Sequence, residues 1–194
     1  MAYESNYRMS CYKIMFFLGL LDISAIIVNS IISGILLMEG AVYCSHPTLI
    51  YITGSMGLGL WCSTCIVCIT LLINRLLDIW KPYLVFRYFG GRRTYIWLTV
   101  AFLYGLYFVM FTHPVLFNSK YQSWFFDPFI NSNMGLMYQN VAHTFNNSII
   151  VMIICFLYGI FYRTLEKLYN NRKTVRCNRN NIRVFETKSF KLYF

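Results

Sequence analysis

Two polar groups set within apolar sequence are the first candidates for chemistry in this chain. Asp22 is the single carboxylate in the middle of an apolar run, and Asn29 follows it by seven residues. A charge at the centre of a membrane-spanning helix costs about 2.5–3.5 kcal/mol on insertion scales, so such residues usually face other helices or water. We therefore expect Asp22 to be a functional residue. The alternative is a carboxyl group that is protonated, or that Asn29, Ser30 or a neighbouring hydroxyl group satisfies.

A guanidinium group ends the second apolar run. Arg75 lies in the sequence NRLLD at 74–78, and Pro82 follows it by seven residues. A basic residue at the end of a membrane helix is usually an anchor that fixes the orientation of the helix. The polar neighbour Asn74 and the fixed backbone of Pro82 favour a functional role for Arg75 in addition to that of an anchor. Both interpretations of Arg75 remain open at this point.

Small residues recur along the second apolar run. Ser55, Gly59 and Ser63 are spaced four residues apart. Small side chains at this spacing let two helix backbones approach closely in lipid. The pattern predicts a helix-packing face.

No pattern in the sequence indicates an enzyme. The chain contains no G-x-S-x-G, P-loop or H-E-x-x-H motif. Cys62, Cys65 and Cys68 lie inside an apolar run, where we interpret them as small packing residues rather than metal ligands. An alternative zinc or proton-sensing group would use four residues whose spacing matches no known ligand pattern, namely Cys44, His46, His113 and His143. The prediction is therefore that no cofactor and no metal is bound.

Four apolar runs must position these residues. They cover residues 14–37, 49–73, 95–112 and 141–162, which are 24, 25, 18 and 22 residues long. About 20 apolar residues in a helix span a bilayer, and lipid offers no partner to the open edge of a strand. With 58% hydrophobic and 12% charged residues, the chain is predicted to be an all-α polytopic membrane protein. Its four transmembrane helices would occupy 14–162, and the lipid bilayer is its first expected partner.

Nearly all of the basic residues lie before the first apolar run, between the second and third runs, or after the fourth run. Of the 17 Lys and Arg residues, only Lys120 lies between the first and second runs or between the third and fourth. Because short loops rich in Lys and Arg stay in the cytoplasm, we expect both termini to be cytoplasmic, with an N-terminal segment at 1–13 and a basic tail at 163–194. Topology thus explains the net charge of +10, and nucleic acid is not an expected partner. The first run is also too long for the 7–15-residue core of a signal peptide.

Several stretches of the chain resemble nematode serpentine receptor class T proteins, a family of seven-helix chemosensory receptors coupled to G proteins. The resemblance extends from about residue 7 to residue 173 and assigns the four runs to helices two to five. The stretches that carry it are YKIMFFLGLLD (12–22), YCSHP (43–47), GLGLWC (57–62), NRLLD (74–78), GGRRTYIW (90–97) and WFFDP (124–128).

The resemblance implies roles for individual residues. In rhodopsin-like receptors the second helix carries an Asp in a buried polar network that can hold sodium. Asp22 matches that position, and we expect Asn29 to belong to the same network. Their third-helix arginine is a switch that contacts the G protein. Arg75 matches it, with Pro82 at the usual offset and Asn74 in place of the usual acidic neighbour. Trp97 matches the tryptophan of helix four and is expected to take part in helix packing.

The resemblance also implies partners. These are a heterotrimeric G protein and a small-molecule odorant, held in a cavity between helices two, three and five. Because only helices two to five are present and activation moves helix six, we expect a partial receptor that does not signal alone. The alternatives are a claudin-like tetraspan structural protein and a transporter fragment. The first loop of about ten residues is too short for the claudin motif, and no inverted repeat relates the helix pairs.

Overall fold

In the computed structural model of the protein, the described residues are 2–129 and 138–190. Side chains are described for residues 10–129, 138–170 and 173. The last four residues of the predicted basic tail therefore lie outside the described part.

The described part of the chain is mostly helical. The chain divides into two compact units, Met1–Ile154 and Cys155–Phe194, and the described residues of the second unit all belong to the last helix of the chain. The elements in chain order are α1 (Ala2–Ile26), a π-helical segment (Ile27–Ile32), α2 (Ser33–Met38), α3 (Pro47–Trp80), α4 (Pro82–Phe89), α5 (Arg93–Phe111), β1 (Leu116–Asn118), β2 (Ser123–Phe125) and α6 (Val141–Phe190).

Four helical stretches among the described residues are long and apolar enough to cross a membrane. They are Ser10–Met38, Pro47–Trp80, Arg93–Phe111 and Val141–Asn170. Each overlaps one of the four apolar runs. The predicted class of a polytopic α-helical membrane protein is confirmed, and the structure adds a two-stranded hairpin to it.

Proline and glycine, rather than the limits of the apolar runs, set where several helices begin and end. Pro47 occupies the first turn of α3, where its missing N–H is not needed. Lys81 leaves the helical region with φ −146° and ψ 82°, and Pro82 then starts α4, because the residue before a proline disfavours helical geometry. Gly91 turns the chain into α5 with φ +60°, a conformation that glycine adopts without strain.

Helix α3 crosses α5 at very close range. A Cβ atom at Gly105 would collide with the Ser63 side chain and the Gly59 carbonyl oxygen. Ser63 Oγ also donates a hydrogen bond to the Ala101 carbonyl oxygen at 3.1 Å. Each helix therefore contributes a pair of small residues four positions apart, the pattern that permits backbone contact between membrane helices.

A π-helical segment interrupts the first span. Ser33 Oγ donates to the Val28 carbonyl oxygen at 3.1 Å, five residues back. The indole Nε1 of Trp124 in turn donates to Ser33 Oγ at 2.8 Å. Wide turns of this kind occur mostly as single insertions in α-helices, frequently at functional sites. Here the insertion links the first span to the hairpin.

The hairpin packs directly on the helices. Strands β1 and β2 are antiparallel, and Phe117 lies opposite Trp124. A Cβ atom at Gly54 would collide with the Val115 carbonyl, so glycine is needed where the chain crosses α3. The Ser119 N–H donates to the Ala41 carbonyl oxygen at 3.0 Å, which ties the hairpin to the loop after α2. We call this end of the helices the hairpin end.

The opposite end of the same unit carries Arg75 and Pro82, and we call it the Arg75 end. Its interior is apolar. Val85 and Phe89 of α4 are almost fully buried there, in a cluster that also contains Ile14 and Val67. The short helix α4 therefore covers this end of the bundle.

Candidate functional site

A cavity of about 350 Å³ lies at the hairpin end of the first unit. Its walls come from four different parts of the chain. The lining residues are Val28 and Asn29 in the π segment, Thr53, Gly54, Gly57, Leu58 and Trp61 in α3, Val115 and Trp124 in and beside the hairpin, and His143 and Asn147 in α6. With His143 neutral, no lining side chain is charged.

A chain of hydrogen bonds joins three helices beside this cavity. Trp61 Nε1 donates to Asn147 Oδ1 at 3.0 Å, and Asn146 Nδ2 donates to the same oxygen at 3.3 Å. Tyr104 donates its hydroxyl to Asn146 Oδ1 at 2.7 Å. Asn147 Nδ2 lies 3.3 Å from His143 Nε2. Asn146 is only 5% exposed, so its pairing satisfies a buried amide, as buried polar groups require.

The first turn of α6 is held in place by Asn140. Its Oδ1 accepts from the His143 backbone N–H at 2.9 Å, which is the side-chain bond of a helix N-cap. Its Nδ2 donates to the His113 carbonyl oxygen at 2.9 Å, which links α6 to the end of α5. The His143 ring also lies 5.3 Å from the ring of Phe126. The backbone and the ring of His143 are therefore both positioned.

Sequence reasoning missed this network. The sequence indicates His143 only as a member of an alternative zinc group, and it predicts no hydrogen-bonding role for Trp61, Tyr104 or Asn146. The available signal was the pair of adjacent asparagines inside the fourth apolar run, since amides in a span need partners. The sequence could not show which residues of other spans supply those partners.

The structure places the two predicted polar-network residues apart. Asn29 lines the cavity. Asp22 does not line it, and its side chain is exposed near the Cys68 thiol. Among the described residues no hydrogen bond connects Asp22 with Asn29. The ion-binding role of Asp22 stays a prediction.

The predicted switch residues lie together at the Arg75 end. Asn74 is 2% exposed, and its Nδ2 finds no hydrogen-bond partner within the described part of the chain. Arg75 is exposed, with Nη2 3.8 Å from Met15 Sδ. Pro82 begins α4 directly after the break at the end of α3. Within the described residues, this end therefore presents a buried amide with an unpaired Nδ2 group beside an exposed guanidinium.

The predicted packing residues contact two different neighbours. Gly59 and Ser63 contact α5, whereas Ser55 is buried and donates to its own helix at the Tyr51 carbonyl oxygen, 2.9 Å away. Trp97 donates to the Tyr88 carbonyl oxygen at 3.2 Å and stacks on Phe89 with ring centroids 5.8 Å apart. Trp97 therefore connects α5 with α4 rather than with the small-residue face of α3.

The alternative zinc group is not assembled in the described part of the chain. No three His, Cys, Asp or Glu side chains there are placed to hold a metal ion. His46 instead pairs with Glu39, with Nε2 and Oε2 3.2 Å apart. His143 is engaged with Asn147, as described above.

Comparisons with known proteins agree on one family. The family model for the serpentine type 7TM GPCR chemoreceptor Srt matches residues 1–190. Serpentine receptor class T-55 of Caenorhabditis elegans is 34% identical over 148 residues, which are 76% of this chain and 40% of that protein. The chain thus matches less than half the length of this curated relative. No solved structure matches the chain.

Proposed function

The chain belongs to the Srt family of serpentine chemoreceptors, and we propose that it binds a small-molecule ligand in the cavity at the hairpin end. Membership of this family supports a chemosensory role of the G-protein-coupled-receptor type. It favours that role over the claudin-like tetraspan and the transporter fragment. The observation that carries the proposal is the convergence of the π segment, α3, α6 and the hairpin on one cavity.

The chemistry of the cavity suits a small uncharged molecule. Its volume of about 350 Å³ lies at the lower end of the roughly 300–1,000 Å³ that is typical of small-molecule sites. Apolar side chains dominate such sites, and a few convergent polar groups orient the ligand. Val28, Leu58 and the two tryptophans supply apolar surface here, while Asn29 and His143 supply polar groups.

Filling the cavity tests this proposal. Gly57 lines it, and a Cβ atom there would come within 3.3 Å of the Val28 side chain, so Gly57→Leu places a side chain in the cavity. The probe is 1-bromohexane, whose bromine quenches the fluorescence of Trp61 and Trp124, with the protein in lipid nanodiscs. We expect saturable quenching in the wild type and its loss in Gly57→Leu.

The matched control is Gly19→Leu, the same substitution on α1 where nothing lies within 4 Å of a new Cβ atom. It should retain the saturable quenching above the linear background from probe dissolved in lipid. Equal saturable quenching in Gly57→Leu and Gly19→Leu would contradict a ligand site in this cavity.

We also propose that the hairpin end faces the outside and the Arg75 end faces the cytoplasm. The distribution of Lys and Arg supports this orientation. Cys44 is exposed in the loop after α2, so a membrane-impermeant maleimide should label it on intact cells. In a Cys44→Ser background, Arg92→Cys should be labelled only after permeabilisation. The reverse pattern would overturn the orientation.

In this orientation Arg75, with Asn74 and Pro82, is the proposed contact with a heterotrimeric G protein. We propose, however, that these 194 residues alone bind ligand without activating a G protein. The family description names seven transmembrane segments, and the described residues contain four candidate spans. Ligand-stimulated GTP binding by a G protein reconstituted with this chain alone would contradict the proposal.

A further inference from the structure

The Trp61 indole fixes which groups donate and which accept in the series of hydrogen bonds beside the cavity. An indole N–H can only donate. The Asn147 atom 3.0 Å from Trp61 Nε1 is therefore the amide oxygen. The other terminal atom of Asn147, which faces His143, must be the NH₂ group.

The neighbouring amide agrees with this direction. Asn146 also contacts the Asn147 oxygen, at 3.3 Å, and must do so through its own NH₂ group. Its oxygen then faces Tyr104, whose hydroxyl donates to it at 2.7 Å. The contacts of Asn146 are thus consistent with the orientation that the Trp61 indole fixes for the Asn147 amide.

The direction of the chain determines the tautomer of His143. The NH₂ group of Asn147 lies 3.3 Å from His143 Nε2, and an NH₂ group has no lone pair with which to accept. Nε2 must therefore supply the lone pair. In a neutral imidazole with an accepting Nε2, the hydrogen is on Nδ1.

The Nδ1–H group of His143 is the last donor in this series of hydrogen bonds. The described residues offer it no acceptor, and the backbone N–H of the same residue is already paired with Asn140. Other cavity donors are committed: Trp124 to Ser33, at 2.8 Å, and Trp61 to Asn147. Asn29 has both a donor and an acceptor. His143 Nδ1–H is therefore a cavity donor without an acceptor among the described residues.

We propose that His143 Nδ1–H donates a hydrogen bond to the ligand, and that the ligand is an uncharged, mostly apolar molecule with a carbonyl-type acceptor. This inference rests on the proposed function, because it assumes that the cavity is the ligand site. His143 is then a specificity-determining residue. It selects for an acceptor because a ligand without one leaves a buried donor unpaired.

A pair of probes of equal shape tests the selection. 2-Heptanone carries a carbonyl oxygen, and 2-methyl-1-heptene replaces that oxygen with a CH₂ group. Each is titrated against 1-bromohexane in nanodiscs, with concentrations corrected for partition into lipid. We expect the ketone to displace bromohexane at roughly fivefold lower concentration than the alkene, which is what one net hydrogen bond supplies.

His143→Phe keeps an aromatic ring beside Phe126 and removes the donor. The ratio between the concentrations at which the two probes displace bromohexane should fall to about one. His113→Phe is the matched control, because the His113 side chain does not line the cavity, and it should keep the wild-type ratio. Equal affinities for the two probes in the wild type would overturn the role of His143 while the proposed function stands. The absence of any saturable binding would count against the proposed function itself.

A measurement that needs no substitution at His143 tests the tautomer. In a His46→Gln, His113→Gln background, ¹⁵N-histidine labelling leaves His143 as the only labelled imidazole. Solid-state NMR at neutral pH should show a protonated Nδ1 and an unprotonated Nε2. The opposite tautomer would overturn the inference.

Discussion

The two ends of the first unit differ in the hydrogen bonding of their buried asparagines. At the hairpin end, Asn146 is buried and both ends of its amide are paired, with Tyr104 and with Asn147. At the Arg75 end, Asn74 is buried as deeply, yet its Nδ2 has no partner among the described residues. Apolar contacts around Val85 and Phe89 hold that end together instead.

The two ends therefore differ in whether their buried amide groups have hydrogen-bond partners among the described residues. At the hairpin end the paired groups hold their side chains in position. The Nδ1–H group of His143 is left without an acceptor among the described residues. An unpaired buried amide is unfavourable and calls for an acceptor from water, lipid or a protein partner. This contrast supports the proposed ligand site at the hairpin end and the proposed G-protein contact at the Arg75 end.

The largest expected effect comes from the helix crossing that joins both ends. Gly105→Leu forces a side chain against Ser63 and the Gly59 backbone, so α5 must move away from α3. We expect the free energy of unfolding to fall by about 3 kcal/mol, the upper part of the range for overpacked cores. Titration with sodium dodecyl sulfate measures it, with Gly19→Leu as the control. A Gly105→Leu protein as stable as this control would refute the close crossing.

The same substitution should destabilise the protein at the hairpin end but not at the Arg75 end. Asn146→Leu leaves Tyr104 and the Asn147 oxygen with one partner fewer, and should lower the free energy of unfolding by about 1 kcal/mol. Asn74→Leu removes an unpaired amide, and should leave the free energy unchanged or raise it by up to about 1 kcal/mol. Equal destabilisation by both variants would remove the distinction between the ends.

A double-mutant cycle sharpens this result. Tyr104→Phe deletes the hydroxyl that donates to Asn146. Combined with Asn146→Leu, it should show a coupling of about 0.6 kcal/mol, the average for hydrogen bonds between membrane helices. Additive effects of the two substitutions would mean that the bond contributes nothing to stability.

The smallest expected effect concerns the contact between the hairpin and the π segment. Trp124→Phe keeps an aromatic ring but removes the indole donor to Ser33. We expect a loss of about 0.5 kcal/mol and faster hydrogen exchange of the backbone amides at 116–125. The amides of α4, at the Arg75 end, serve as the internal reference, and their exchange should stay unchanged. A uniform acceleration would show that the hairpin is not a local unit.

Much of the fold follows from local signals. The apolar runs predict the spans, and Pro47, Pro82 and Gly91 set helix ends because their effects on φ and on backbone hydrogen bonds act within a few residues. The face of α3 formed by Gly59 and Ser63 was also predictable from spacing. Its partner on α5, Ala101 with Gly105, has the same spacing, but spacing alone does not reveal which helices meet.

The candidate site was predicted only in part. Asn29 was expected to be functional and does line the cavity, whereas Asp22 lies elsewhere. Trp61 and Asn147 are 86 residues apart in the chain, and Trp124 and Ser33 are 91 apart. Neither contact can be predicted from residues nearby in the sequence, because each depends on the register in which whole helices and the hairpin pack.

The sequence by itself determined the number of spans, the helix breaks and the concentration of basic residues on one side of the pattern, since each depends on neighbouring residues and on the energy of moving them into lipid. Tertiary structure alone decided which polar groups meet. In the part of the chain that the structure describes, both ends of the Asn146 amide are paired and the Nδ2 group of Asn74 is not, although both are asparagines in apolar helices. The physical reason is that a hydrogen bond needs its partner within about 3 Å, and only the packing of distant segments brings one that close.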